Sequence, residues 1–563
     1  MPLTAAALLD THFPIDRLVQ NLLADKALAG IHQLAWFDWA ILIPYFTVLF
    51  ILSIYALHRF QVIRNYFKHR KNVTTEPLKR FKQLPSVTIQ LPLYNERYVV
   101  ERLVAEVVKV EYPKALLQIQ VLDDSSDDTA PVAEALVKRY RALGHPIEYH
   151  HREARRGFKA GALEQGLETA TGDLVAVFDA DFRPPADFLM RTVHFFTDLS
   201  VGVVQARWSF LNREHNLLTE AEAMLLDCHF ILEQGARSRA GLFFNFNGTA
   251  GILRKQMIAD AGGWQHDTLT EDTDLSYRAQ LKGWRFVYLP GLHCPSELPV
   301  EMCSFQAQQF RWTKGLTQVA KKLLPSILRA GIPKRVKAEA FLHLTRNISY
   351  PLTVVLSALV LPVMIVRFDT GVWQLLFTDL PPLAVSLLSL SLFYVLAHRE
   401  LYPERWRRRV FMLPLLIAVG LGLTIINTRA VLEGLVGVKS GFVRTPKYAV
   451  GEPPVNVDVR KYRYSSGWLP YAETLVGTWF AAIMIFGIRI HNYLTVPYLM
   501  MVVLSYYWAG LTKLYQEWQG LFCRRRQYCA PPELHDGLRL ECLEQTGARR
   551  DRFRSRLRAE SSL

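Results

Sequence analysis

The sequence predicts an α/β domain inserted between membrane-spanning helices. Half of the 563 residues are hydrophobic, a larger share than soluble chains of this length usually carry. Long apolar runs lie on both sides of residues 85–337. Within that stretch, buried-strand patterns alternate with helical patterns, which is typical of an open, mainly parallel sheet that binds ligands at the C-terminal ends of its strands.

Residues 1–84 are predicted to be an N-terminal segment with one transmembrane helix at about residues 39–57, a length that crosses a bilayer. A basic stretch follows, so the positive-inside bias places that side in the cytoplasm. We expect no cleavable signal peptide, because charged residues precede the apolar run and no small-residue cleavage site follows it.

The central domain, residues 85–337, is predicted to contain at least four strands and three helices. The strands are Ser86–Leu91, Leu117–Leu122, Asp173–Phe178 and Val201–Gln205, and the helices are Tyr98–Val110, Thr129–Leu143 and Phe158–Thr169. A basic, aromatic amphipathic helix over Phe305–Leu324 closes the domain, with Pro325 as its expected stop. This helix fits the membrane interface, and an ordinary domain-closing helix is the alternative.

The C-terminal part, residues 338–520, is predicted to be a transmembrane bundle, followed by a basic cytoplasmic tail at 521–563. Its expected spans are Ile348–Val366, Val372–Ala397, Tyr471–Ile488 and Leu494–Leu511. A single span over Val410–Ile425 would place the next basic loop outside. We therefore predict a re-entrant or interfacial element there, or a short hairpin that continues through Val438.

The formal net charge is +15, which admits binding to nucleic acid or positive-inside flanking of membrane helices. The basic residues cluster beside apolar runs, so we favour membrane flanking and expect no nucleic-acid partner. The six cysteines form no Cys-x-x-Cys pair, so neither a zinc site nor a disulfide framework is indicated.

Two acidic motifs follow predicted strands. Asp123 and Asp124 end the second strand, where a carboxylate can accept hydrogen bonds from a nucleobase or a ribose; turn formation and helix capping by Asp127 or Asp128 are the alternative. Asp179-Ala180-Asp181 follows another strand. Two carboxylates two residues apart can share Mg²⁺ or Mn²⁺, which would neutralise a diphosphate leaving group.

Two further motifs complete the set. In Thr270-Glu271-Asp272, Asp272 is our candidate for the base that takes a proton from an acceptor hydroxyl. Glu271 and Asp274 can alternatively be first-turn acids of a helix. In Gln308-Gln309-Phe310-Arg311-Trp312, Arg311 can pair with diphosphate oxygens and Trp312 can stack on a sugar; an Arg/Trp anchor at the membrane interface is the alternative.

This ordered set resembles the membrane-integrated, processive, inverting glycosyltransferases of the cellulose synthase type, and most of all the cellulose synthase-like glucan and mannan synthases. The resemblance covers about Pro85 to Tyr448. It implies a GT-A fold, a nucleotide-sugar donor such as UDP-glucose or GDP-mannose, a growing β-linked polysaccharide as acceptor, and Mg²⁺ or Mn²⁺ as cofactor. The polymer would thread between the C-terminal helices.

The resemblance also implies roles for individual residues. Asp272 would be the base, Asp179 and Asp181 would hold the metal, and Trp312, Gly248 and Thr249 would face the acceptor. The donor would contact Asp123, Asp124, Lys159, Asp179, Glu271, Gln308, Arg311 and Lys447. Lys447 belongs to a loop at about residues 439–450 that resembles the family's gating loop, although Arg444 stands at the family's Val position and Pro446 stiffens the segment.

Two other functions fit parts of the sequence. A non-processive transferase that adds one sugar to a membrane lipid, such as polyprenyl phosphate or ceramide, would share several motifs. A transporter or a non-catalytic membrane scaffold would explain the helices and leave the acidic motifs without a role. The predicted location is a multi-pass membrane protein with a cytoplasmic catalytic domain, in the plasma or inner membrane of a bacterium or the Golgi of a eukaryote. Any accessory subunits are left open.

Overall fold

The structure, a computed structural model, describes residues 36–366, 380–439, 441, 445–449, 467–489, 493 and 495–528. The predicted tail beyond residue 528 lies outside the described residues. So do residues 440, 442–444 and 450 of the predicted gating loop, whereas Lys447 lies within them.

A seven-stranded sheet forms the centre of the domain. Its strands are β1 Val87–Leu93, β2 Leu117–Asp123, β3 Ile147–His151, β4 Leu174–Val177, β5 Val201–Phe210, β6 Gly251–Arg254 and β7 Arg285–Ser296. They lie in the order β3-β2-β1-β4-β6-β5-β7. All neighbours are parallel except β6, which runs antiparallel to β4 and β5. The predicted mainly parallel sheet is therefore confirmed.

Three of these strands were missed by the sequence analysis, each for a physical reason. β3 is an edge strand with polar residues, so it lacks the apolar run of a buried strand. β6 has only 4 residues. β7 contains Pro290 and Gly291, residues that argue against a strand when they are read locally.

Helices cover both faces of the sheet. Those of the domain are α2 Val100–Val107, α3 Thr129–Ala142, α4 Phe158–Thr169, α5 Phe188–Thr192, α6 Leu217–Cys228, α7 Gly235–Arg239, α8 Lys255–Asp260 and α9 Glu271–Leu281, and α1 is Trp36–Lys68 before the sheet. One apolar core contains α2 with the inward residues of β1 and β2. A second core contains α4, α8 and α9 on the other side. The three predicted helices therefore occur, the first shorter at both ends.

Helix α10, Met302–Arg329, follows the sheet and is longer than predicted. The expected stop at Pro325 is wrong, because the proline lies inside the helix. Ile327, beyond it, is fully buried in a cluster with Tyr277 and Leu344. Packing against the domain therefore continues the helix past a residue that removes one backbone donor.

The C-terminal helices are α11 Lys334–Thr345, α12 Ser349–Val366, α13 Leu380–Leu401, α14 Trp406–Val410, α15 Leu413–Gly422, α16 Thr424–Val436, α17 Leu469–Arg489 and α18 Val496–Tyr528. Among the described residues, 4 helical stretches are long and apolar enough to cross a membrane: Trp36–Lys68, Lys334–Val366 (α11 and α12 taken together), Leu380–Leu401 and Leu469–Arg489. They contain the described parts of four predicted spans. The start of the predicted span at Val372 lies outside the described residues.

Two predicted membrane elements differ from those four. The span predicted over 494–511 lies in α18, which is not among the described helices that meet the length and apolarity required of a span. The stretch over 406–436 forms two helical parts. The first, Trp406–Gly422, comprises α14 and α15, and the second, Thr424–Val436, is α16; the two are bent by 42° relative to each other. A broken span and a re-entrant loop share this geometry, so the re-entrant or interfacial element stays a prediction.

Candidate active site

A cleft opens where strands of the parallel half of the sheet end. Tyr94 follows β1, Asp124 follows β2 and Asp179 lies two residues after β4, and all three line the cleft. Parallel strands bring their C-terminal ends to one edge, so residues far apart in the chain meet here.

The first acidic motif divides between the cleft and the core. The Asp124 carboxylate lines the cleft and forms a bidentate ion pair with Arg152, at 2.7 Å from Nε and 2.5 Å from Nη2. The Asp123 carboxylate is fully buried and accepts hydrogen bonds from Tyr149 and the Ser125 backbone. Asp124 is therefore the member that lines the cleft, while Asp123 holds the turn. Asp127 accepts a hydrogen bond from the backbone of Thr129, the first residue of α3, and Asp128 lies at the N-cap position without a side-chain cap bond.

The Asp179 and Asp181 carboxylates each contact a lysine. Lys159 Nζ lies 2.5 Å from Asp179 Oδ1, and Lys447 Nζ lies 2.9 Å from Asp181 Oδ2. The second contact brings a residue of the predicted gating loop to the strand end. Burial alone would lower the pKa of Lys159, but Asp179 and then Glu271 raise it overall. The same balance, with Asp181 as the main anion, raises the pKa of Lys447, so both ammonium groups stay charged.

Asp272 lies in the first turn of α9, next to Glu271. Its Oδ1 accepts a hydrogen bond of 2.6 Å from the Thr273 backbone. Burial, and then the charge of Glu271, raises the pKa of Asp272 to about 7. A carboxylate with that pKa can accept a proton near neutral pH, as a general base must. Asp274, the other acid of this turn, is fully buried and paired with Arg278, so its place is structural.

The turn before β6 brings backbone against Asp272. Gly248 has φ +80° and lines the cleft. A Cβ there would lie 3.1 Å from Asp272 Oδ2, so both the backbone angle and the close approach favour glycine. Thr249 is fully buried, and its hydroxyl accepts a hydrogen bond from the Asp179 backbone at 2.8 Å. Gly248 therefore faces the cleft directly, whereas Thr249 holds the second acidic motif.

Helix α10 closes the cleft with one face, on which Gln308, Arg311 and Trp312 lie. A Cβ at Gly315 would lie only 2.5 Å from the Thr270 side chain, so glycine lets α10 pack directly against the start of the Thr-Glu-Asp motif. Burial lowers the pKa of Arg311, and Glu271 and Asp179 act against that effect.

Two features of the cleft were missed by the sequence analysis. The Arg155 guanidinium lies 3.3 Å from the centroid of the Tyr94 ring, and both residues line the cleft next to Asp124. The backbone of Glu297 donates to Asp181 and accepts from Lys447, and its side chain pairs with Arg102. Tyr94 could have been found as the residue that follows β1; Glu297 carries no comparable local signal.

Residues 85–315 match the family described as "Glycosyltransferase like family 2". They form a glycosyltransferase domain. With the mixed, mainly parallel sheet, this match confirms the GT-A class that the resemblance implied.

The glycosyltransferase domain also has named relatives. The chain is 38% identical over 315 residues to "Glucomannan 4-beta-mannosyltransferase 1" of Cyamopsis tetragonoloba. This match covers 54% of this chain and 59% of the relative. It is 35% identical over 371 residues to "Probable glucomannan 4-beta-mannosyltransferase 7" of Oryza sativa subsp. japonica, covering 64% of this chain and 60% of the relative. The chain thus spans just over half the length of these relatives.

Among solved structures, the chain is similar to the mannosyltransferase PcManGT of Pyrobaculum calidifontis in complex with GDP-Man and Mn²⁺. The sequence identity is 21%, the TM-score is 0.47, and the match covers 70% of this chain and 100% of the other.

Proposed function

We propose that this protein transfers mannosyl units from a nucleotide sugar to a growing β-linked mannan or glucomannan. The observation that carries the proposal is the convergence of four separate motifs on one cleft, represented by Asp124, Asp179, Asp272 and Arg311. The names of the relatives favour mannose as the sugar and position 4 as the linkage. GDP-mannose and UDP-glucose are the two donors to compare first.

In the proposed reaction, Asp272 takes the proton of the acceptor hydroxyl, and that oxygen forms a bond to the anomeric carbon of the donor. The bond from that carbon to the phosphate oxygen breaks, and its electron pair leaves with the nucleoside diphosphate. Attack opposite the leaving group inverts the configuration. Arg311, Lys159 and Lys447 are cations of the cleft that can pair with the departing diphosphate.

Asp179 and Asp181 fit a divalent ion. Both carboxylates line the cleft, each already balances a positive charge, and oxygen is the ligand that Mg²⁺ and Mn²⁺ prefer. Among the described residues, no group of three or more His, Cys, Asp or Glu side chains could hold a metal. A diphosphate would therefore complete the shell. When bound, the ion neutralises charge on the leaving group.

The domain division supports a membrane synthase. We propose that residues 85–337 face the cytoplasm, that the helices from 338 to 520 guide the polymer across the membrane, and that the loop at 439–450 closes over bound donor. The contact of Lys447 with Asp181 supports this closure, since it brings that loop to the cleft. Direct packing of α10 on α16 and α18 supports a close link between the cleft and the bundle.

Purified full-length protein in detergent or nanodiscs tests the proposal. A panel of radiolabelled nucleotide sugars would be offered with Mg²⁺ or Mn²⁺, and the product analysed for linkage and chain length. We expect incorporation of mannose into a β-1,4-linked chain, and loss of incorporation in Asp272→Asn. A single sugar on lipid would support the non-processive alternative, and the absence of transfer from every donor would reject the proposed function.

A further inference from the structure

The two aspartates of the predicted metal site each bind a lysine that reaches them from a different part of the chain. Lys159 belongs to α4, and Lys447 to the loop after the bent helix pair. The two lysine side chains are only 18% and 10% exposed. These contacts are therefore enclosed ion pairs, which water screens less than surface pairs.

Each ammonium group also has an oxygen partner on its other side. Lys159 Nζ donates to the Gly248 carbonyl at 2.9 Å, and Lys447 Nζ donates to the Glu297 carbonyl at 2.5 Å. Each lysine thus lies between a carboxylate and a backbone carbonyl, a set of oxygens that would also suit an inorganic cation. The ammonium groups therefore lie where a cation would bind both carboxylates.

This arrangement sets a condition on metal binding. A divalent ion that entered while both lysines stayed would meet two ammonium groups at short range in a poorly screened site. Lysines that left without a new anion would be enclosed and unpaired, which is costly. A diphosphate resolves both problems, because it offers oxygens to the displaced lysines and to the metal together.

We propose that Lys159 and Lys447 act as resident counter-ions that exclude free metal, so that the divalent ion and the diphosphate bind cooperatively. This inference rests on the proposed function, because it takes Asp179 and Asp181 as the metal carboxylates. Coupling is reciprocal, so the metal strengthens diphosphate binding by the same factor as the diphosphate strengthens metal binding.

Titration of the purified full-length protein with Mn²⁺, followed by the electron paramagnetic resonance signal of free Mn²⁺, tests this coupling. The titration is run alone, with GDP, with UDP and with guanosine, and corrected for Mn²⁺ held by the nucleotide in solution. We expect a diphosphate to tighten Mn²⁺ binding by about ten- to a hundredfold, the usual range of coupling between two sites. Guanosine, which has no phosphate, should leave it unchanged.

Lys447→Met removes the positive charge beside Asp181 while keeping a side chain of similar length. We expect it to bind Mn²⁺ alone about tenfold more tightly than the wild type, with a smaller effect of GDP or UDP, a size within the same range of couplings. Lys447→Arg keeps the charge and should behave like the wild type. Lys109→Met is the matched control, because Lys109 is a 61% exposed lysine that pairs with Glu106 outside the cleft.

Lys159→Met repeats the test at the other carboxylate. If Lys159→Met does not fold, Lys447→Met alone decides the test. Equal Mn²⁺ binding by wild type and Lys447→Met, or wild-type Mn²⁺ binding that neither GDP nor UDP strengthens, would overturn the inference. Sugar transfer is measured on the same preparation. Wild-type transfer without coupling rejects the counter-ion role alone, whereas the absence of transfer from every donor rejects the proposed function.

Discussion

Glu473 of α17 and Lys513 of α18 form an ion pair in which both side chains are fully buried. Lys513 Nζ lies 2.5 Å from Glu473 Oε2. Gln306 of α10 joins them: its amide donates to Glu473 at 3.0 Å, and its oxygen accepts from Lys513 at 2.9 Å. Gln306 lies two residues before Gln308, which lines the cleft. The pair therefore connects the bundle to the helix that closes the cleft.

Breaking this pair from one side should destabilise the protein strongly. Lys513→Met leaves the Glu473 carboxylate buried without its cation, a change that typically costs about 3–5 kcal/mol. Adding Glu473→Leu removes the remaining charge and should recover much of the loss. The melting temperature of the purified protein measures both effects. Lys138→Met is the control, since its partner Glu134 is on the surface and such pairs contribute roughly 0–1 kcal/mol.

Asp272 should determine how transfer depends on pH. Its pKa of about 7 lies above the usual value, so the carboxylate form becomes dominant only as the pH rises through 7. We expect transfer to increase from pH 6 to pH 8 and then level off. Initial rates at saturating donor, measured in buffers of constant ionic strength, give the profile. A rate that falls over this interval would contradict the base assignment.

Asp272→Asn should lower the transfer rate by about 10²–10⁴-fold, the usual contribution of a general base. Asp267→Asn makes the same chemical change at a 58% exposed side chain five residues earlier, where the partner is Lys322. It should keep a rate close to that of the wild type. Equal rates in both variants would exclude Asp272 as the base.

Trp312 should act on the acceptor rather than on the donor. Loss of an aromatic stacking surface in Trp312→Ala should raise the KM for an oligosaccharide acceptor by about tenfold, corresponding to the upper end of aromatic contact energies. The KM for the nucleotide sugar should change little. Trp312→Phe, which keeps a ring, should restore part of the acceptor affinity; equal effects of both variants on both KM values would contradict this role.

Glu222 of α6 should limit stability at neutral pH. It is fully buried, and neither carboxylate oxygen has a hydrogen-bond partner among the described residues. Burial raises the pKa of Glu222 to about 8, although Lys447 lowers it somewhat. The folded protein therefore keeps a proton that the unfolded chain loses above its ordinary pKa of 4.5, so this group destabilises the fold increasingly as the pH rises from about 4.5 to about 8.

Glu222→Gln should remove that effect. We expect a gain of roughly 1–3 kcal/mol at pH 7, from a shift of a few pKa units, and a smaller gain at pH 5. Melting temperatures of wild type and variant across this range measure it. Glu148→Gln is the control, because the Glu148 side chain is 43% exposed. A gain that shrinks as the pH rises would contradict the assignment.

Much of the site could be predicted because its signals are local. Asp124 and Asp179 follow short apolar runs, and a strand end can be recognised from a few neighbouring residues. The elements that were missed lack such a signal. β3 has polar residues at the sheet edge, and β7 holds its place by pairing with β5 despite Pro290. Their strand character depends on a distant partner, which local periodicity does not report.

The sequence by itself determined the α/β class, the order of the motifs and the apolar helices that flank the domain, because each depends on residue type and spacing over short stretches. Only the tertiary structure decided that Asp124 faces the cleft while Asp123 holds the turn. It also decided that Lys159 and Lys447 form ion pairs with Asp179 and Asp181. These relationships join residues distant in the chain, so packing of the sheet, α10 and the loop around Lys447 sets them.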